Sequence, residues 1–170
     1  TFVYHFINYL LSMNENFKYS LDNFSINSEN VSFKKLSNKI HPNFFYLESN
    51  QSDESIKIND VRNILNFLNK STLSSNIKIV LIDNVENLNI NSSNALLKAI
   101  EEPNFNTLFF LVHNSSAKIS DTLKSRAVQF KLYLTLSKRK EILKKIFEQY
   151  DFNYDVNKIN DKFYFDTPGN

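Results

Sequence analysis

One glycine in 170 residues, no cysteine, no tryptophan and three prolines set the first limits on this chain. The single glycine, Gly169, excludes several chemistries at once. A Walker A loop needs two glycines before its lysine, a dinucleotide fingerprint about three, and a G-x-S-x-G nucleophile elbow two. None of these lies within these residues. Without cysteine there is no disulfide framework, no thiolate zinc site and no cysteine nucleophile, which fits a reducing compartment. Charge of one sign is also lacking: 20 basic against 18 acidic residues leave a net +2, so no strong field argues for nucleic acid or membrane. A long hydrophobic run is missing as well. The first thirteen residues place Phe2, Val3, Phe6, Ile7, Leu10 and Leu11 at helical spacing. They are too few to span a bilayer, and no basic segment precedes them as in a signal peptide. A buried helix is expected there.

What is present is a globular composition, 42% hydrophobic and 22% charged, of a length suited to one domain and part of a second. The abundance of Asn, Lys, Ile and Phe reads as codon bias of an AT-rich genome. Residues 14–39 are polar and rich in Asn and Ser, with isolated Phe17, Phe24 and Phe33, and are expected to form an irregular excursion with a short helix near its end. His41-Pro42 breaks the chain, because the residue before proline is pushed out of the helical region. Phe44, Phe45, Tyr46 and Leu47 then read as a short strand, and residues 48–55 as an exposed acidic loop. Val61, Ile64, Leu65 and Leu68 fall at i, i+3, i+4 and i+7, an amphipathic helix flanked by Arg62.

Residues 77–82 form a β-branched run ending in Asp83, as expected of a buried parallel strand. Asn91, Ser92 and Ser93 offer capping oxygens for a helix carrying Ala95, Leu96, Leu97, Ala99 and Ile100, stopped by Pro103. A further apolar strand is expected over 107–112, a short helix from Ser120, another strand over 128–132, and a last helix capped by Ser137. That helix places Ile142, Leu143, Ile146, Phe147 and Tyr150 on one face, with a basic remainder around Lys138 to Lys145 that is either a solvated face or a DNA contact. Strands alternating with helices predict a parallel α/β sheet. A core over residues 1–133 and a partial helical domain over 134–170 are expected.

Four features carry chemistry. Asp83 follows an apolar strand, where open α/β sheets place ligands; it is either a Walker B carboxylate that holds Mg²⁺ on a nucleotide or a turn-capping residue. Asn94 to Pro103 is, as physics, a capped helix stopped by proline. Asn114, after the strand over 107–112, either reports on a phosphate or begins a loop. Arg126, at the end of a short helix, either reaches a phosphate in trans or is solvated. His5, His41 and His113 have no metal-ligand spacing.

Order and spacing join these features. Asp83 after its strand, Asn94-Ala95-Leu96-Leu97-Lys98 running into Glu101-Glu102-Pro103, the strand before Asn114, and Ser125-Arg126-Ala127 together closely resemble the AAA+ clamp-loader subunits of bacterial DNA polymerase III. His41-Pro42 and Arg62 also match bacterial members. The resemblance implies an AAA+ type parallel sheet flanked by helices, followed by the start of a small helical lid. It places the P-loop immediately upstream of Thr1, so that the chain, which lacks an initial Met and stops after Pro168-Gly169, is expected to be a fragment at both ends. Catalytic members carry Asp-Glu where this chain has Asp83-Asn84. An amide cannot accept a proton as the carboxylate does, which implies poor hydrolysis at the subunit's own site. The four-cysteine zinc module that many members hold is excluded. Both departures resemble the delta-prime branch of the family. The resemblance implies Arg126 as an arginine finger acting on ATP and Mg²⁺ held by a neighbouring gamma/tau-type subunit, with Asp83, Asn84 and Asn114 as remnants of a nucleotide site. No cofactor is expected on these residues themselves. Implied partners are gamma/tau-type and delta-type subunits, with the sliding clamp and primer-template DNA met through the assembly, in the cytoplasm and without a membrane. A hydrolysing gamma/tau-type subunit and an unrelated α/β interaction module are the alternatives.

Overall fold

The computed structural model describes residues 2–48, 55–70, 77–103, 106–114, 116–132 and 135–149. Parts of the expected loop over 48–55 and of the last helix's apolar face, including Tyr150, lie outside the described residues. The chain divides into two compact units, residues 1–128 and 129–170.

In the first unit the elements run α1 (Phe2–Ser12), α2 (Val31–Ser37), β1 (Phe44–Leu47), α3 (Ile58–Leu68), β2 (Lys78–Ile82), α4 (Ile90–Glu101), β3 (Thr107–Leu111) and α5 (Asp121–Lys124). The three strands form a parallel sheet in the order β1-β2-β3, with Phe44 opposite Ile79 and Ile79 opposite Leu108. Every residue of the central strand is buried, the apolar run over 79–82 and Lys78 at its start alike. Because strand side chains alternate between faces, β2 divides its residues between two cores. Val80 and Ile82 join Val61, Ile64, Leu68 and Leu96 from α3 and α4 on one face. Ile79 and Leu81 join Ile7, Leu11 and Leu36 from α1 and α2 on the other. The result is a helix–sheet–helix sandwich.

Lys78, the first residue of β2, is buried, and its Nζ donates to the carbonyls of Phe67 (3.0 Å), Leu68 (2.6 Å) and Lys70. A cation thus closes the carboxyl end of α3, where the helix dipole is negative.

The excursion between α1 and α2 is held by polar side chains. Asn8, fully buried on α1, donates from Nδ2 to Asn30 Oδ1 (3.2 Å), and Asn30 Nδ2 donates to the Phe17 carbonyl (2.8 Å). Glu15 accepts from the Val31 and Ser32 amides at the start of α2 (2.9 and 3.0 Å) and from Ser32 Oγ (2.6 Å). His41 Nε2 lies 3.3 Å from Ser32 Oγ, and its Nδ1 accepts from the Asn43 amide. With Nδ1 an acceptor, Nε2 carries the proton in the neutral ring, so the relay runs from His41 to Ser32 to Glu15.

Three expectations are corrected. Residues 128–132 form no strand in the described sheet, and Val128, Phe130 and Leu132 are 82%, 83% and 70% exposed. Strand-like residues do not make a strand unless a neighbouring strand completes the ladder. The cap of α4 is Asn89, whose side chain accepts from the Ser92 amide (2.9 Å), while the Ser92 hydroxyl is drawn inward to the Ile56 carbonyl (2.8 Å). In the second unit α6 (Leu136–Gln149) begins before Ser137; the Thr135 hydroxyl accepts from the Lys138 amide (3.3 Å). Lys138 and Lys145 both pair with Glu141 along that helix.

Candidate functional site

The carboxyl end of the sheet gathers the residues singled out in the sequence. Asp83 follows β2, held in line by its amide's bond to the Leu47 carbonyl (2.9 Å). Its Oδ1 accepts from the Asn84 amide (3.0 Å). Asn84 itself is left-handed, at φ 54° and ψ 50°, a conformation Asn tolerates better than Glu does. The chain then turns through a 3-10 helix, Val85–Asn87.

The end of β3 is tied to this turn. The Val112 amide donates to Ile82 and the Val85 amide to Val112 (2.9 and 3.0 Å). Asn114, exposed, donates its amide to Glu86 Oε1 (3.1 Å), while its Oδ1 accepts from the Ser116 amide and hydroxyl (3.0 and 2.8 Å). Asp83, Asn84 and Asn114 are therefore brought to one edge of the sheet, with Glu86 as the link. Nothing in the sequence pattern singled out Glu86, because its role depends on a contact 28 residues away.

Two phenols complete this edge. Tyr4 from α1 stands edge-on to Tyr46 of β1, with ring centroids 6.0 Å apart. Burial, then the charges of Glu48 and Asp83, pushes both phenols above their usual range, Tyr46 furthest and with a further hydrogen bond to Glu48. Both therefore favour the neutral form beside the carboxylates. The sequence pattern read Tyr46 as a strand residue and left Tyr4 off the apolar helix face, and nothing in it shows that they meet.

Arg126 belongs to a different cluster. Ser120 caps α5, and the chain leaves that helix at Ser125 with its amide on the Asp121 carbonyl (2.9 Å). The Arg126 side chain is 38% exposed. Its Nη1 donates to the Thr122 carbonyl (3.1 Å) and Ser125 Oγ (3.3 Å), and its Nη2 lies 2.5 Å from Glu101 Oε1 at the end of α4. No hydrogen bond or ion pair joins it to Asp83 or Asn114 among the described residues. Arg62 of α3 is exposed and donates from Nη1 to Asn59 Oδ1 (3.1 Å).

No cluster of potential metal ligands occurs among the described residues. Asp83 stands at the carboxyl end of the central strand, with one of its oxygens engaged by the Asn84 amide.

A family model described as DNA polymerase III, delta subunit, matches residues 10–135. The chain belongs to this family. Its relatives place it with the clamp-loader subunits, nearest in kind to delta-prime. It is 35% identical over 89 residues to the DNA polymerase III subunit delta' of Pseudomonas aeruginosa, covering 52% of this chain and 27% of that protein. It is 39% identical over 103 residues to the delta' subunit of Buchnera aphidicola subsp. Baizongia pistaciae, covering 58% and 31%. A gamma subunit from Buchnera aphidicola subsp. Schizaphis graminum is 40% identical over 76 residues, covering 45% and 21%. The clamp-loader chain described here thus spans less than a third of these relatives' length. In fold it resembles a gamma subunit-related protein from Thermotoga maritima, with a TM-score of 0.53 and 23% identity over 69% of this chain and 42% of that one. The parallel AAA+ type sheet with flanking helices is accordingly present. No helix among the described residues is long and apolar enough to cross a membrane.

Proposed function

We infer that this clamp-loader chain is part of a subunit that does not hydrolyse ATP itself and presents Arg126 in trans to ATP and Mg²⁺ held by a neighbouring gamma/tau-type subunit. The observation that carries the reading is the division of the site into two separate clusters. The sheet edge has an acid, Asp83, followed by a left-handed amide, Asn84, and lacks the adjacent carboxylate that would orient water. The arginine stands apart from that edge, on an exposed turn after α5. A guanidinium placed away from its own subunit's acidic edge can serve a phosphate bound elsewhere.

In this reading Asp83, Asn84 and Asn114 are remnants of a nucleotide site, and Tyr4, Tyr46 and Glu86 hold that edge in shape. Residues 134–170 begin a helical lid that joins the rest of the subunit. The delta-type subunit, the sliding clamp and primer-template DNA are met through the assembly, in the cytoplasm. The near-balanced charge supports a modest direct share in DNA binding.

The test is ATP turnover by the isolated full-length subunit with Mg²⁺. Turnover at background level is expected, unaltered by Asp83→Ala. Robust turnover that disappears in Asp83→Ala would instead place the protein with the hydrolysing subunits.

A further inference from the structure

The contact between Arg126 and Glu101 has no place in the mechanism so far. We propose that Glu101 holsters the finger: its carboxylate holds the Arg126 guanidinium against the subunit's own surface and yields it when a neighbour's nucleotide phosphate arrives. The proposal rests on the trans reading of Arg126 and adds to it a positioning residue and a competition.

Both terminal nitrogens of the guanidinium are engaged within the subunit, Nη2 by Glu101 and Nη1 by Thr122 and Ser125. A side chain so folded back must give up partners before it can point outward. Glu101 is the partner whose chemistry a phosphate duplicates, since carboxylate and phosphate oxygens take the same donors. The contact runs through Glu101 Oε1, between side chains 38% and 45% exposed. A pair of that kind is weak, and a multiply charged phosphate can displace it.

The position of Glu101 points the same way. It is the last residue of α4, where a negative charge opposes the helix dipole, and Glu102 follows it as the cap. Two acids at a carboxyl end do not stabilise the helix. The basic residue of that last turn, Lys98, lies on the same helix, whereas Arg126 comes from another. The acid at 101 is therefore accounted for by the arginine it holds rather than by the helix it ends.

The experiment is single-turnover ATP hydrolysis by a loader reconstituted from the full-length subunit and its gamma-type ATPase partners. Wild type is compared with Glu101→Gln, Glu101→Asp, Arg126→Ala and the double variant Glu101→Gln/Arg126→Ala. Glu101→Gln keeps the helix and removes the charge. It should raise the hydrolysis rate about 1.4- to 5-fold, the weight of a surface ion pair, with little change in KM for ATP. Glu101→Asp should fall between it and wild type, and the double variant should match Arg126→Ala alone. A purely structural role for Glu101 would not produce a gain confined to the rate. A Glu101→Gln rate equal to or below wild type, while Arg126→Ala is slow, would overturn the holster and leave the finger standing. An Arg126→Ala rate equal to wild type would overturn the finger, and the holster with it.

Discussion

Phe24, Lys39, Asn84 and Asn106 carry left-handed backbone, with φ between 48° and 58°, in a chain whose single glycine lies elsewhere. Where other sequences use glycine, this one accepts strain or an Asn. Lys39 closes α2 as a glycine usually would: its amide reaches Leu36 and that of Ile40 reaches Lys35 (both 3.0 Å). Phe24 is the costliest case, a bulky residue 74% exposed in a tight loop bridged by Ser20 and Ser25. Phe24→Gly should therefore stabilise the full-length subunit by about 0.5–1 kcal/mol, read from urea midpoints, because relief of a strained φ outweighs the added unfolded-state entropy. His41 is a second residue with a measurable signature. Burial, then Lys35, lowers its pKa below the usual 6.5, against a smaller opposing pull from Glu15. A depressed base is neutral in the fold and charged on unfolding, so its contribution is complete above about pH 6.5 and fades as pH falls toward the folded value. Thermal midpoints should drop on acidification through that window, and His41→Gln should flatten the slope.

Among the elements, β2 carries most of the architecture and was the most legible. Its four apolar residues, 79–82, form an unbroken buried run, and the acid after it marks the sheet edge. The helices over 58–68 and 90–101 were equally visible in their 3.6-residue spacing. Residues 128–132 were misread because their alternating apolar residues indicate strand propensity, whereas a strand requires a partner that local sequence does not reveal. The cap of α4 was placed two residues late, because Asn91 and Ser92 are as good capping residues as Asn89 and only the fold selects among them. Contacts between distant positions, such as Tyr4 with Tyr46, Glu86 with Asn114 and Glu101 with Arg126, have no one-dimensional pattern at all. Lys78 belongs with them: in an apolar strand it reads as an end residue, yet it closes the carboxyl end of α3 from 8 to 11 residues away. Lys78→Met should cost about 1.5–3 kcal/mol in denaturant titration, the weight of hydrogen bonds to a charged donor. A cost near zero would show that the cation is dispensable.

At the scale of the whole molecule, the proposed role is that of a subunit that lends an arginine to a neighbour and does not hydrolyse ATP itself. Family membership rests on residues 10–135, and the AAA+ type sheet positions both clusters without joining them. Stability and the proposed function are correspondingly separable: Arg126 is held only by contacts at the surface, so Arg126→Ala should leave the fold unchanged, whereas the central strand and the polar knot around Glu15, Ser32 and His41 hold the structure. The most direct measurement is ATP hydrolysis at the site adjoining this subunit in the reconstituted loader, with Arg126→Ala against wild type and unfolding midpoints as a control. Loss of that site's turnover by about 10³–10⁵-fold at unchanged stability is the expected result. An unchanged rate in a correctly folded, fully assembled complex would contradict the account.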